Sequence, residues 1–432
     1  MQNVSAKTAV AASDPGANYT GPLAIVTSLF FMWGFLTCLN DILVPHLKSI
    51  FDLSYARVML IQFAFFGAYF IFSIPSAKII DWMGYQRSMV AGLLMMGLGA
   101  FLFVPAASVP SYPLFLGALI VLAAGITCLQ VAANPYVTVL GKPQTASSRL
   151  NLTQAFNSLG TFLAPFFGGL LILSAAPKAM EEIRAMAPDA LQAYRLHEAA
   201  TVKTPYVGLG IALVLLAIAI GSFKLPKIEH AQHKVGEKVN DSIWNHPNLI
   251  FGAISIFVYV GAEVSIGSFL VNYFTQPEIG GLTEKVAASF VAFYWGGAMI
   301  GRFIGSALLQ KVKTGKLLGI CAICAAGLVA ISMLSSGHVA MYSIIFVGFF
   351  NSIMFPSIFT LGVAELGPLT GDGSGVMIMA IVGGAIIPLA QGWIADKIGI
   401  HHAFFLPVIC YLYILFFALS GSKPNSERHA KA

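Results

Sequence analysis

Long apolar runs, interrupted by charged residues, proline or glycine, extend over most of this 432-residue chain. A run of about 20 apolar residues is long enough for a helix to cross the hydrocarbon core of a bilayer. Twelve such runs lie near residues 22–45, 57–79, 88–106, 113–140, 151–174, 205–223, 248–274, 286–309, 317–335, 338–364, 374–395 and 402–420. The pattern therefore predicts an all-α integral membrane protein with twelve transmembrane helices.

Two longer polar segments, 175–204 and 224–246, interrupt this pattern, and the second divides the predicted spans six and six. The first residues of the chain contain no apolar core or cleavage site of a signal peptide. The predicted organisation is an N-terminal tail over 1–21, a six-helix bundle over 22–223, a linker over 224–247, a second six-helix bundle over 248–420 and a C-terminal tail over 421–432.

Composition supports this class, and the distribution of charge gives an orientation. Charged residues make up only 10% of the chain and hydrophobic residues 57%, whereas soluble domains are about 25% charged. With Arg302 set aside, fifteen Lys and Arg residues lie on one predicted side of the membrane and eight on the other. Because cationic loops stay in the cytoplasm, we expect both termini to be cytoplasmic. The net charge of +6 is therefore no sign of nucleic-acid binding.

A weak internal repeat relates the two halves. The stretch 134–141 (NPYVTVLG) matches 355–362 (FPSIFTLG) at an offset of 221 residues, which pairs Gln130 with Asn351. An offset of 222 pairs Asp41 in the first span with Glu263 in the seventh. Such repeats are typical of transporters built from two similar bundles.

Asp41 and Glu263 are carboxylates within apolar runs. An acid that faces lipid costs on the order of 3 kcal/mol, so such residues normally face a cavity or a partner. A carboxyl group in a dry cavity can bind a proton on one side of the membrane and release it on the other. Both residues are therefore candidates for cation coupling. The alternative is a structural salt bridge, for which Arg302 is the partner at the right depth.

Amide side chains are numerous in or near the spans. Each amide offers a donor and an acceptor, which is what a polyol needs when it loses its water. Gln154 and Asn157 share one helix face, as do Gln130 and Asn134. Trp33, two turns before Asp41, is a candidate platform for a sugar ring or a packing residue. The predicted substrate-binding residues are Trp33, Asn40, Gln130, Asn134, Gln154, Asn157, Asn272, Asn351 and Gln391. The alternative role for the amides is to hold helices together.

Two glycine-rich stretches have structural interpretations. The spacing of Gly297, Gly301 and Gly305 predicts a close-packing helix face. The stretch 371–375 (GDGSG) lacks the lysine of a phosphate-binding loop, so we interpret it as the turn that opens the eleventh span. Nucleophile triads and metal-ligand spacings are absent from the sequence, and the pair Cys321 and Cys324 is interpreted as packing. We therefore expect no enzyme activity and no cofactor.

Four stretches, 30–34 (FFMWG), 39–43 (LNDIL), 130–136 (QVAANPY) and 149–160 (RLNLTQAFNSLG), resemble the fucose-galactose-glucose:proton symporter family of the major facilitator superfamily. The resemblance extends from the first span to the last. The stretches 260–268 (VGAEVSIGS) and 398–404 (IGIHHAF) are closer to the glucose/galactose branch than to the fucose branch.

The resemblance implies a fold of two six-helix bundles around a central cavity, exposed alternately to each side of the membrane. It assigns Asp41 as the proton carrier and places Trp33, Gln154 and Asn157 at the sugar. Gln130 stands where the fucose branch has a glutamate, which removes one titratable group. The coupling ion is then a proton bound at Asp41, with or without a share for Glu263, or, as the second choice, sodium.

The gating motif of the superfamily survives only in part, as 81–87 (DWMGYQR). It makes Asp81 and Arg87 gating candidates, together with the intramembrane Arg302. We expect a monomer in a bacterial inner membrane that imports glucose or galactose, with mannose, fucose and N-acetylglucosamine as alternatives. A polyspecific efflux antiporter of the same fold and a non-transporting sugar sensor remain as rival functions. The expected partners are the sugar and the lipid bilayer.

Overall fold

The computed structural model describes residues 19–51, 55–109, 111–171, 182, 185–228 and 241–424. Within these ranges it describes only the backbone of 39–51, 55–60, 165–171, 198 and 199. The helices of the N-terminal half are α1 (Thr20–Phe51), α2 (Tyr55–Ser108), α3 (Tyr112–Val139), α4 (Ala146–Leu171), α5 (Pro188–Thr201) and α6 (Lys203–Ser222). Those of the C-terminal half are α7 (Pro247–Phe274), α8 (Glu284–Leu308), α9 (Thr314–Leu334), α10 (Gly337–Asn351), α11 (Met354–Gly362), α12 (Thr370–Met379), α13 (Gly383–Ile398), α14 (Ile400–Ala403) and α15 (Phe405–Phe416).

Ten segments of the described residues are long and apolar enough to cross a membrane. One of them, 61–108, is 48 residues long and holds the predicted second and third spans. The chain leaves helical geometry between those spans at Gly84, where φ is 81° and ψ is 167°, a conformation that a residue without Cβ adopts readily. Segment 61–108 counts as the second and third spans, and α4 is the fifth span in addition to the ten segments. The twelve predicted spans are therefore confirmed as helical.

The tenth span is broken in the middle. Helix α10 ends at Asn351 and α11 begins at Met354. Pro356 explains the break, because it has no N–H for the carbonyl of Ser352 one turn earlier. The side chain of Arg302 on α8 supplies that donor, with Nε 3.3 Å from the Ser352 oxygen. The break therefore places an intramembrane arginine at a fixed point.

Helix α8 packs on this break through the glycine face predicted from its sequence. A Cβ at Gly301 would lie 2.6 Å from the Phe349 carbonyl oxygen, and one at Gly305 would lie 2.1 Å from the Ile353 side chain. Only glycine allows helices this close together. The prediction of a close-packing face is confirmed.

The two halves meet at the ends of the helices that are predicted to be cytoplasmic. Ser148 on α4 donates to the Ser306 carbonyl on α8 at 2.7 Å, and Ser374 on α12 donates to the Val131 carbonyl on α3 at 2.8 Å. The prediction that 371–375 forms a turn is wrong, because this stretch belongs to α12. Gly375 allows a close approach to α2, because a Cβ there would lie 3.2 Å from the Ser73 carbonyl oxygen.

Candidate functional site

A cavity of about 580 Å³ lies between the two halves of the molecule. Its size is within the range of small-molecule sites, which are about 300–1,000 Å³. The wall is mostly apolar, with polar and aromatic groups from both halves. The polar and aromatic residues that line it include Trp33, Tyr69, Gln130, Gln154, Asn157, Ser158, Tyr259, Glu263, Trp295 and Arg302.

Helices α1 and α4 hold two of the predicted residues next to each other. A Cβ at Gly34 would lie 2.1 Å from the Asn157 carbonyl oxygen, and one at Gly160 would lie 2.2 Å from the Phe31 carbonyl oxygen. The two glycines therefore let the backbones touch. Asn157 donates through Nδ2 to the carbonyl of Phe30 at 2.9 Å. This bond fixes the amide of Asn157 beside Trp33, and both line the cavity.

A second group of amides belongs to α3 and α4. Gln130 donates through Nε2 to the hydroxyl of Tyr69 at 2.6 Å. Gln154 donates through Nε2 to Oδ1 of Asn134 at 3.4 Å. Gln130, Gln154 and Tyr69 line the cavity, whereas Asn134 lies behind the wall and contacts it through Gln154.

The C-terminal half contributes the charged groups of the wall. Glu263 accepts a hydrogen bond through Oε1 from the hydroxyl of Tyr259 at 2.8 Å. Arg302 donates through Nη1 to the Ser158 hydroxyl on α4, and Asn151 on α4 donates to the Arg302 carbonyl at 2.7 Å. Arg302 therefore joins the two halves in the wall of the cavity. Among the described side chains, the structure does not pair it directly with Glu263, although the two charges attract at longer range.

Four predicted substrate-binding residues do not line the cavity. Asn134 is one turn from Gln130 but points behind the wall, and Asn351 donates to the Tyr294 hydroxyl at 2.8 Å. Asn272 is exposed near the end of α7. Gln391 is fully buried, and neither polar atom of its amide has a partner among the described residues. These four amides do not line the cavity in this structure, because composition gives the number of amides in the spans and not the face on which each one lies. Their role in substrate binding stays a prediction.

Asp41 and Asn40 lie on α1, but their side chains are outside the described residues. The assignment of Asp41 as the proton carrier therefore stays a prediction. Helix geometry puts Asp41 about two turns from Trp33, and Trp33 lines the cavity.

Two of the gating candidates, Asp81 and Arg87, lie on α2 on either side of its kink at Gly84. Asp81 lies against the first turn of α12, where its Oδ1 would be 3.7 Å from a Cβ at Gly371. A carboxylate is stabilised at a helix N-terminus by the partial positive charge there. Lys78 bridges Asp81 at 3.6 Å and Asp372 at 2.7 Å. Arg87, the other member of the partial motif, is exposed and is absent from the described ion pairs.

Sequence reasoning did not identify several residues of the wall and gate. Tyr259 had a usable signal, because it lies one helical turn before Glu263 and shares its face. Tyr69 had none, because its partner Gln130 is 61 residues away in the chain. Lys78 lies one turn before the predicted Asp81 and had a similar signal, but its shorter contact, to Asp372, joins distant parts of the chain. Trp295 had none, because the sequence does not show that its position faces the cavity. Trp295 packs edge-on against Tyr294, with ring centroids 5.1 Å apart, and offers the C-terminal half an aromatic surface in the cavity.

Comparison with known proteins gives consistent results. The model of the Major Facilitator Superfamily matches residues 24–381. A glucose/galactose transporter of Brucella abortus is 53% identical over 406 residues, which cover 94% of this chain and 95% of that protein. A putative glucose/galactose transporter of Helicobacter pylori is 47% identical over 410 residues, 94% of this chain and 98% of that protein. The crystal structure of the Escherichia coli fucose:proton symporter superimposes with a TM-score of 0.87 at 35% identity, covering 94% of this chain and 100% of that one.

Proposed function

We propose that this chain, which belongs to the major facilitator superfamily, is a symporter that imports a monosaccharide together with a proton. The observation that carries the proposal is the cavity between the halves, where amides from α3 and α4 meet the aromatic side chain of Trp33. Similarity to proteins named glucose/galactose transporter favours glucose or galactose as the sugar. Mannose, fucose and N-acetylglucosamine are the alternatives to test beside them.

The amides of α4 are arranged to accept sugar hydroxyls. Asn157 and Gln154 each use their amide nitrogen in a hydrogen bond to the protein, which leaves the amide oxygens as acceptors for hydroxyl groups. Trp33 and Trp295 offer aromatic surfaces from the two halves, and such surfaces suit the C–H faces of a pyranose. A polyspecific efflux protein needs an apolar cavity, so these polar groups favour sugar import over efflux.

Proton coupling is assigned to Asp41. Gln130 cannot titrate, so Asp41 is the acid that the N-terminal half offers at this depth. Glu263 on the opposite wall is the second carboxyl group of the cavity. Sodium, bound by Asp41 with amide and backbone oxygens, is the alternative coupling ion.

Alternating access then requires the inner ends of the halves to separate. The hydrogen bond from Arg302 to Ser158 in the cavity wall and that from Ser148 to Ser306 nearer the predicted cytoplasmic side hold α4 against α8. Release of these contacts, with the outer ends closing, would open the cavity to the cytoplasm. We place the protein in a bacterial inner membrane with both termini cytoplasmic, and we assign it transport and no enzyme activity.

Uptake of labelled hexoses into membrane vesicles under imposed gradients tests the proposal. We expect a proton gradient to drive accumulation of glucose or galactose. Asp41→Asn should lose this accumulation and keep hexose exchange, because it removes the proton site and leaves the sugar site. Asp396→Asn, which removes an exposed carboxylate at the end of α13, is the matched control and should accumulate hexose normally.

Each contrary result would contradict a different part of the proposal. Full accumulation by Asp41→Asn would remove Asp41 from the coupling step. Accumulation driven only by a sodium gradient would replace the proton by sodium. Binding of hexose without transport under any gradient would make the protein a sensor.

A further inference from the structure

Tyr259 hydrogen-bonds to two acceptors with one hydroxyl proton. Its hydroxyl oxygen is 2.8 Å from Oε1 of Glu263 and 3.1 Å from the carbonyl oxygen of Asn351. A tyrosine hydroxyl has a single donor, so the two acceptors compete for it. Tyr259 is 1% exposed, so there is little room for a water molecule to donate a hydrogen bond to the acceptor that Tyr259 does not bind.

The second acceptor is the last residue of α10, at the break in the tenth span. The carbonyls of Asn351 and Ser352 receive their hydrogen bonds from side chains of other helices, Tyr259 and Arg302. Asn351 is also tied through its side chain, since its Nδ2 donates to Tyr294 at 2.8 Å. The break is therefore held by groups that surround Glu263.

The charge of Glu263 decides which acceptor receives the proton. An ionised carboxylate is the stronger acceptor, because hydrogen bonds to charged groups are roughly twice as strong as neutral ones. Tyr259 then donates to Glu263. When Glu263 binds a proton from solution, the carboxyl group becomes a donor to the Tyr259 oxygen, and the Tyr259 hydroxyl turns to the Asn351 carbonyl. One proton is taken up, and Tyr259 keeps its own.

We propose that Glu263 is a proton site of the C-terminal half and that Tyr259 transmits its protonation to the break in the tenth span. The proposal deepens the proposed function, on which it rests, by assigning a regulatory step to the same cavity. Protonated Glu263 strengthens the hold on Asn351, and it also removes the attraction between Glu263 and Arg302. Both changes act on groups that hold the break in the tenth span against α7 and α8.

The titratable and charged groups that act on Glu263 come from three helices among the described residues. Tyr259 belongs to α7, Arg302 and Tyr294 to α8, and Tyr411 to α15. Asn351 on α10 does not titrate. Asp41 on α1 is a further acid of the cavity by prediction, and its side chain is outside the described residues.

The test separates protonation from transport by two measurements on the full chain. The first is infrared difference spectroscopy of the purified, hexose-free protein between acidic and alkaline pH. Glu263→Gln should remove one protonated-carboxyl band, because the amide cannot titrate. Tyr259→Phe should keep this band and shift it, because the carboxyl group loses its hydrogen-bond partner. Tyr273→Phe removes a buried hydroxyl on the same helix that bonds to Ser332 and should leave the band unchanged.

The second measurement is the pH dependence of hexose exchange in proteoliposomes. We expect the exchange rate to depend less on pH in Glu263→Gln and Tyr259→Phe, to the same extent in both variants, and to keep the wild-type pH dependence in Tyr273→Phe. A wild-type pH profile in Tyr259→Phe would overturn the transmission step. A protonated-carboxyl spectrum unaffected by Glu263→Gln would overturn the proton site.

Failure of the proposed function is recognised separately. If the wild-type protein exchanges no hexose, the assignment as a hexose symporter fails, and the infrared measurement alone decides whether Glu263 and Tyr259 form the switch. In that case an unshifted band in Tyr259→Phe would overturn it, and a shifted band would support it.

Discussion

Gln130 donates its side-chain amide to the hydroxyl of Tyr69 at 2.6 Å. The C-terminal half repeats this relationship, because Asn351 donates its amide to the hydroxyl of Tyr294 at 2.8 Å. Gln130 and Asn351 are the pair that the internal repeat predicts, on the fourth and tenth spans. Their partners lie on the second and eighth spans. The two halves therefore use the same bond, but only the N-terminal amide lines the cavity.

Gln130→Ala should weaken hexose binding. Loss of the amide leaves the hydroxyl of Tyr69 without this partner and removes a polar group from the wall, which costs about 1–3 kcal/mol, or roughly 5- to 150-fold in affinity. Hexose titration followed by tryptophan fluorescence measures the effect, since Trp33 and Trp295 line the cavity. Asn272→Ala removes an exposed amide and is the control. An unchanged binding isotherm for Gln130→Ala would exclude a direct contact with the sugar.

Gln391→Leu should leave hexose binding unchanged and the protein as stable as before or more stable. Both polar atoms of this buried amide lack a partner in the part of the chain that the structure describes, and an unsatisfied buried polar group costs about 1–3 kcal/mol. An apolar side chain of similar size removes that cost. Thermal unfolding in detergent and the same hexose titration check both parts. A large loss of hexose affinity in Gln391→Leu would show that Gln391 takes part in hexose binding.

Gly34→Ala should destabilise the N-terminal half and weaken hexose binding together. The new Cβ would lie 2.1 Å from the Asn157 carbonyl oxygen, so α1 and α4 must separate, at a cost of about 1–3 kcal/mol. Gly67→Ala is the matched control, because a Cβ there meets no atom within 4 Å. Equal unfolding temperatures for the two variants would contradict the close contact between α1 and α4.

Lys78→Ala should weaken the contact between α2 and the first turn of α12 only slightly, because it removes the ion pairs of Lys78 with Asp81 and Asp372. The Lys78 side chain is 62% exposed in its pair with Asp372, and exposed ion pairs contribute about 1 kcal/mol or less, which is at most about a fivefold change in an equilibrium. Alkylation of Cys38, which lines the cavity, by an impermeant reagent in inverted vesicles reports access from the inner side. The rate should rise by no more than this factor, and less at high salt.

Lys311→Ala removes an exposed lysine on the same predicted side and should not change the Cys38 alkylation rate. An increase of the Cys38 alkylation rate far above fivefold in Lys78→Ala would contradict this prediction. It would mean that the ion pairs of Lys78 keep the inner side closed more strongly than the buried hydroxyl contacts between α4 and α8.

The sequence was sufficient for the class, the number of spans and the family resemblance, because run length and apolar content are properties of contiguous segments. It also predicted that Trp33, Gln130, Gln154 and Asn157 would be near one another, and all four line the cavity. Substrate binding by these residues stays a prediction until binding is measured, as do the bundle boundaries.

Tertiary structure decided which polar groups face the cavity and which hold helices together. Tyr69 is 61 residues from Gln130 in the chain, and Arg302 is 144 residues from Ser158. Such pairs form only when helices from distant parts of the chain pack against each other, so the local sequence does not predict them. For the same reason Asn351 and Gln391, which look alike in the sequence, have different surroundings. The amide of Asn351 is hydrogen-bonded to Tyr294, whereas the amide of Gln391 is buried and has no partner within the described ranges.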